Sequence, residues 1–162
     1  MIILGIDPGT AIVGFGIIKK YKNQVSLIDY GCITTASRQP LPARLEDIYL
    51  DLTRLIKKYK PSSVAIEEIY FFKNLKTAIE VSHARGVAVL VAQLNKVFCC
   101  GYTPLQVKQA VCGYGRADKK QVQQMVKSLL KLKKIPKPDD AADALAVALC
   151  HSQSEKCKRL MK

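Results

Sequence analysis

Apolar and polar positions along this chain switch between two periods, and the switches mark its elements. Ile2, Ile3, Leu4, Gly5 and Ile6 form an apolar run closed by Asp7 and the turn pair Pro8-Gly9, the pattern of a buried strand, Ile2–Asp7. A second run, Ala11–Lys19, carries Gly14 and Gly16, and a third, Gln24–Thr34, follows the polar turn Lys20–Asn23. Three consecutive strands with short turns predict an antiparallel meander.

The period changes near residue 41. Leu41, Leu45, Ile48, Leu52, Leu55 and Ile56 recur at three- and four-residue steps, predicting a helix with one apolar face that Pro61 stops. The short β-branched run Ser63–Ile66 reads as a buried parallel strand ending at Glu67. Lys73–Lys96 is helical in spacing, Val97–Tyr102 is a fifth strand, and Pro104 opens a short helix. Gly113-Tyr114-Gly115 marks a loop, Asp118–Leu132 is helical, and a last helix runs from Asp139 to Ser152 behind Pro138. A meander followed by strand–helix alternation gives the α/β class: a five-stranded mixed sheet flanked by helices. With no repeat, low-complexity stretch or linker, the 162 residues read as one domain, 1–153, and a short basic tail, 154–162.

Charge narrows the function. The 26 Lys and Arg against 13 Asp and Glu leave a formal net charge of +13. Residues 96–137 hold ten of the bases and a single acid, Asp118, and the tail adds Lys156, Lys158, Arg159 and Lys162 against Glu155. A one-signed field this concentrated points to a polyanion, nucleic acid first. Apolar residues make up 49% of the chain, which excludes disorder. The longest apolar stretch, near Val87–Val91, falls far short of the roughly 18 residues of a membrane span. Asp7 interrupts the opening apolar run, so no secretory signal is expected, and the six cysteines include no C-x-x-C pair. A reducing cytoplasm, with no membrane partner, is the expectation.

Acids are scarce, so their positions carry information. Asp7 ends one apolar strand and Glu67 another, while Asp143 sits within the apolar run Ala141–Ala148. An isolated buried carboxylate costs several kcal/mol or more unless a base, a proton or a cation neutralises it. Ligands of α/β sheets gather at the carboxyl ends of strands, and Asp140 and Asp143, three apart, share a helix face. Converging carboxylates hold Mg²⁺ or Mn²⁺, and two such ions about 3.5–4 Å apart serve phosphodiester hydrolysis. Each acid also has a structural reading. Asp7 could open a turn, Glu67 could pair with a lysine, and Asp139 or Asp140 could cap the last helix. Glu68 competes with Glu67 for the inward position, and Asp139 with Asp140.

Gly5-Ile6-Asp7-Pro8-Gly9-Thr10, Ala65-Ile66-Glu67-Glu68, Ala84-Arg85-Gly86-Val87 and Asp140-Ala141-Ala142-Asp143-Ala144-Leu145-Ala146 together resemble the RuvC family of crossover-junction endodeoxyribonucleases. Val107-Lys108-Gln109 and Gln121–Val126 extend the resemblance, in order, over nearly the whole chain. It implies a ribonuclease H-like fold and a homodimer that resolves four-way Holliday junctions by two symmetric nicks in recombination and repair, leaving 5′-phosphate and 3′-hydroxyl ends. It places the four catalytic, metal-holding acids on Asp7, Glu67, Asp140 and Asp143, with two Mg²⁺ ions per site and Mn²⁺ as a substitute. It assigns base contact to Tyr70, with Phe71 and Phe72 adjacent and Lys73 next, and places Lys108 and Lys119 near the scissile phosphate, with Lys120 as the neighbouring alternative to Lys119. It makes the helix Lys73–Lys96 the dimer surface and implies a branch-migration helicase as partner. Three rivals share parts of the pattern: a ribonuclease H-like enzyme acting on RNA hybrids or structured RNA, an actin-like ATPase or sugar kinase with a similar Asp7-Pro8-Gly9-Thr10 loop, and a non-enzymatic nucleic-acid binder whose acids are paired structurally.

Overall fold

The computed structural model describes residues 1–69 and 75–154. Tyr70, Phe71 and Lys73, and the basic tail beyond Ser154, lie outside the described residues.

Five strands, β1 (Ile2–Asp7), β2 (Ile12–Tyr21), β3 (Gln24–Thr34), β4 (Ser63–Glu67) and β5 (Phe98–Tyr102), form one sheet in the order β3-β2-β1-β4-β5. The meander β1–β2–β3 is antiparallel, and β4 and β5 join parallel to β1. Helix α1 (Leu41–Tyr59) connects β3 to β4, α2 (Leu75–Leu94) connects β4 to β5, and α3 (Pro104–Cys112), α4 (Lys119–Leu129) and α5 (Asp139–Gln153) complete the chain. The expected mixed α/β sheet is therefore present.

Two cores sandwich the sheet. On one face Leu4, Ile6, Val64 and Ile66 pack with Ile48, Leu52 and Val91 of α1 and α2. On the other, Ile3, Ala65, Val107, Val126 and Leu145 pack with the rest of α3, α4 and α5. This division fixes the site, because side chains alternate between faces along a strand. Ile3, Gly5 and Asp7 share the α5 face, as do Ala65 and Glu67, whereas Glu68 falls on the opposite face, against Gly101. The competition between Glu67 and Glu68 is thus settled by the strand period.

Helix α5 is almost wholly buried, from Ala141 to Ser152. It lies so close to the sheet that a Cβ on Gly5 would stand 2.8 Å from the Ala148 Cβ. One on Gly14 would stand 2.5 Å from the Asp140 carbonyl carbon. Glycines in the strands and alanines on the helix make that approach possible.

Several element ends differ from expectation, three of them for reasons the backbone makes plain. Strand β2 runs on to Tyr21, paired with Gln24, so Lys22 and Asn23 alone make the turn, with Lys22 at φ 51°. Helix α4 starts at Lys119 because Asp118 caps it, its side chain accepting from the Gln121 N–H (2.8 Å) while Gln121 accepts from the Asp118 N–H (2.9 Å). This reciprocal box fixes the helix start. Beyond Leu129 the chain leaves the helix, and Lys131 turns left-handed at φ 53°.

Candidate active site

The carboxyl ends of β1 and β4 lie side by side, Ile6 opposite Ile66, so Asp7 and Glu67 emerge as neighbours on the α5 face. Asp7 and Glu67 share a side-chain hydrogen bond. The first turn of α5 supplies Asp139 and Asp140, and the next turn Asp143. Pro138 holds the N-cap position with no side-chain cap, so neither Asp139 nor Asp140 is the cap that the sequence allowed. Both instead sit at the positive end of the helix dipole.

The electrostatics record the crowding. Burial, and then the charges of Glu67, Asp143 and Asp140, push Asp7 up to about 8 from an ordinary 3.8. Burial and the charge of Asp143 raise Glu67. Asp143 is raised by burial, although the Lys119 hydrogen bond works the other way. This is the signature of carboxylates that lack enough positive charge to ionise together.

Lys119 reaches them directly. Lys119 Nζ lies 3.0 Å from Asp143 Oδ2 and 3.7 Å from Asp139 Oδ2. Burial disfavours its charge, but the hydrogen bond and charge of Asp143 outweigh that and raise its pKa. Lys137 holds Asp139 at 2.8 Å, and that hydrogen bond keeps the Asp139 carboxyl below its usual range. Asp139 is thus engaged by Lys137 as well as by Lys119, whereas Asp140 is among the charges that act on Asp7. Lys108 and Lys119 line a cavity of about 240 Å³ together with Glu67, Asp143, Val107 and Val122. Lys120, the neighbour of Lys119, is exposed as Lys119 is, and it is Lys119 that makes the contacts to Asp139 and Asp143.

The chain matches the family model "Crossover junction endodeoxyribonuclease RuvC" over residues 3–151. It is 60% identical to the enzyme of that name from Alkaliphilus metalliredigens, over 100% of this chain and 99% of the relative. It is 55% identical to the one from Clostridioides difficile, over 100% and 96%. The chain belongs to the RuvC family. Among solved structures, Thermus thermophilus RuvC in complex with a Holliday junction substrate matches with a TM-score of 0.88 and 35% identity, covering 94% of this chain and 93% of that one. The yeast mitochondrial resolvase Ydc2, at 17% identity and TM-score 0.60, shares the fold. The ribonuclease H-like architecture expected from the RuvC resemblance is thus present.

Whether this RuvC-family site suits divalent metal is a question of donor chemistry. Four carboxylates, three of them raised by burial and mutual repulsion, form a hard oxygen donor set of the type that takes Mg²⁺ or Mn²⁺. Among the described residues no three such donors already stand in coordinating geometry, and Lys119 is the cation on Asp143.

One neighbour was not singled out from the sequence. Cys32 of β3 lies in the same cross-strand row as Asp7 and Gly14. Burial, and then Asp140, raise its thiol, while an Ala141 N–H directed at the sulfur opposes them. The hairpin register is the signal that finds it: Asp7 opposes Gly14, and Gly14 opposes Cys32.

Proposed function

We propose that this chain resolves four-way DNA junctions by paired phosphodiester cuts, with Asp7, Glu67, Asp140 and Asp143 as its metal-holding catalytic acids. The observation that carries the proposal is the meeting of the β1 and β4 carboxylates with those of α5, beside Lys119. Two Mg²⁺ ions, with Mn²⁺ as a substitute, would supply charge for water activation and for the leaving oxygen. The chain's own groups do the rest. The four acids fix the donor positions on two strand ends and one helix. Lys119, raised and therefore charged at neutral pH, is positioned to stabilise the negative charge of the transition state. Lys108, across the same cavity, holds the adjacent phosphate. Tyr70, Phe71 and Lys73 follow directly on β4 and are the groups proposed to engage unstacked bases and backbone at the crossover, where one stacked base is worth about 1–3 kcal/mol.

In this reading residues 1–153 are the nuclease domain, and the tail, 154–162, adds phosphate contacts. No described helix is long and apolar enough to cross a membrane, and the proposed setting is the cytoplasm, with a branch-migration helicase as partner.

A substrate that needs two matched cuts fits a two-fold dimer. Helix α2 supports that assembly: Ile79, Leu90 and Leu94 are 57%, 52% and 57% exposed, an unusual cost for large apolar side chains on one helix unless a partner covers them. The double variant Leu90→Asp/Leu94→Asp is expected to sediment as a monomer and to lose paired cutting. A variant that stays dimeric would move the interface elsewhere.

Substrate choice is tested by competition. A synthetic four-way junction should be cut in preference to linear duplex and to an RNA–DNA hybrid of matching sequence. Preference for the hybrid would instead support the rival ribonuclease reading.

A further inference from the structure

The basic charge does not all surround the acids. Lys119 opens α4 at the carboxylates, yet the eleven residues of that helix carry the chain about 15 Å away, at 1.5 Å per residue. Its far end packs beside the β2–β3 hairpin. Leu132, with Val25, Leu27 and Met1, lies against the core there. That is the opposite end of the sheet from the acids, because Lys19 pairs with Ile2 while Gly14 pairs with Asp7.

A groove of about 890 Å³ runs between these elements, lined by the polar Lys19, Asn23, Gln24 and Lys131 and by the apolar Tyr21, Val25, Leu27, Leu129 and Leu130. Lys22 is exposed at the hairpin tip, and Lys131, Lys133 and Lys134 are exposed where the chain leaves α4. No acid occurs within residues 8–28 or 119–138, so nothing in either segment offsets the lysines. Between this groove and the acids, α4 presents Lys120, Gln124 and Lys127 at four- and three-residue steps, which place them on one helix face. These residues lie on the helix that links the acidic site to the groove. Ammonium and carboxamide donors at repeated spacing suit a row of phosphates.

We infer that this α4 face and the hairpin groove form a second nucleic-acid surface, which holds the phosphate backbone of a duplex arm away from the crossover. The inference rests on the junction-resolving reading of the acidic site. At 3.4 Å per base pair, a span of about 15 Å corresponds to phosphates about 4–6 base pairs from the cut. These contacts carry no sequence information; they set arm position and add salt-sensitive affinity.

The test is a chemical double cycle on the full chain. The protein variant is Lys131→Asn/Lys133→Gln/Lys134→Gln, with asparagine chosen because Lys131 is left-handed and asparagine tolerates that conformation. The DNA variant carries neutral methylphosphonate linkages about 4–6 base pairs from the crossover in one arm. The triple variant is expected to lower the slope of log affinity against log salt by about 3. The methylphosphonates are expected to weaken wild-type binding and leave the triple variant's binding unchanged. An unaltered salt slope, or equal methylphosphonate losses in both proteins, would overturn the inference and leave this face to another partner, such as an acidic protein segment. The position of nicks on saturated, unmodified junction reports separately on the acidic site: if neither protein cuts it, the junction reading itself fails.

Discussion

Asp7→Asn should abolish metal-dependent cutting, leave junction binding intact, and make the metal-free protein more stable at neutral to alkaline pH. The three outcomes share one cause. Asp7 is the most strongly perturbed acid of the cluster, held at about 8 by burial and then by Glu67, Asp143 and Asp140. An ionised carboxylate there is costly without a cation and useful with one. Loss of the donor is expected to slow cleavage by about 10³-fold or more, at or beyond the cost of removing one transition-state contact. Binding should persist because phosphate contacts by lysines supply it.

The stability arm follows from linkage. The folded carboxyl titrates near 8 and its ordinary value is 3.8, so between those values the folded chain holds a proton that the unfolded chain releases. Stability from this group is full below the ordinary value and falls as pH rises through the folded one. The neutral amide removes that slope. Without divalent metal at pH 8, Asp7→Asn is expected to melt higher by about 5–10 °C, and Mg²⁺ should raise the melting temperature of the wild type more than that of the variant. A variant that melts lower than wild type at pH 8 would mean that Asp7 is paired structurally and is not strained.

The second large effect is predicted for a residue with no side chain. Gly14→Ala should cripple cutting although position 14 carries no chemistry. The added Cβ would meet the carbonyl group of Asp140, at 2.5 Å from its carbon. Backbone on both sides leaves no flexible group to yield, so the first turn of α5 must shift. Overpacking of this kind costs about 1–3 kcal/mol, and a catalytic group misplaced by about 1 Å can cost 10²-fold in rate. The expected result is a modestly lower melting temperature, near-normal junction affinity and a rate reduced by about two orders of magnitude. Near-normal cutting by Gly14→Ala would show that Asp140 need not sit where α5 now places it.

These two residues show what was legible beforehand. Asp7 stood out because an acid closing an apolar run has few physical excuses, and the same logic found Glu67 and Asp143. The element order could be read from periodicity, since the change from strand to helix spacing at Leu41 and back to strand at Ser63 is sharp. The role of Gly14 was not legible. It depends on how closely α5 approaches the sheet, a tertiary distance that no local pattern encodes. The split between Asp139 and Asp140 was likewise hidden, because both lie within reach of Asp143 along a helix. The difference comes from Lys137 and Lys119, which engage Asp139. Cys32 was missed for want of the hairpin register. The basic segment was read correctly as charge but not as two places, because only the direction of α4 separates Lys119 from Lys131.

The central claim is that this acidic cluster cuts four-way junctions under divalent metal. The most direct measurement maps nicks on a synthetic junction, labelled on each strand in turn, across a Mg²⁺ titration. The account predicts no cutting in chelator and, with Mg²⁺, paired nicks at symmetric positions on two opposed strands near the crossover, bearing 5′-phosphate and 3′-hydroxyl ends. Cutting that persists in chelator, or nicks scattered along the arms without a symmetric pair, would contradict it.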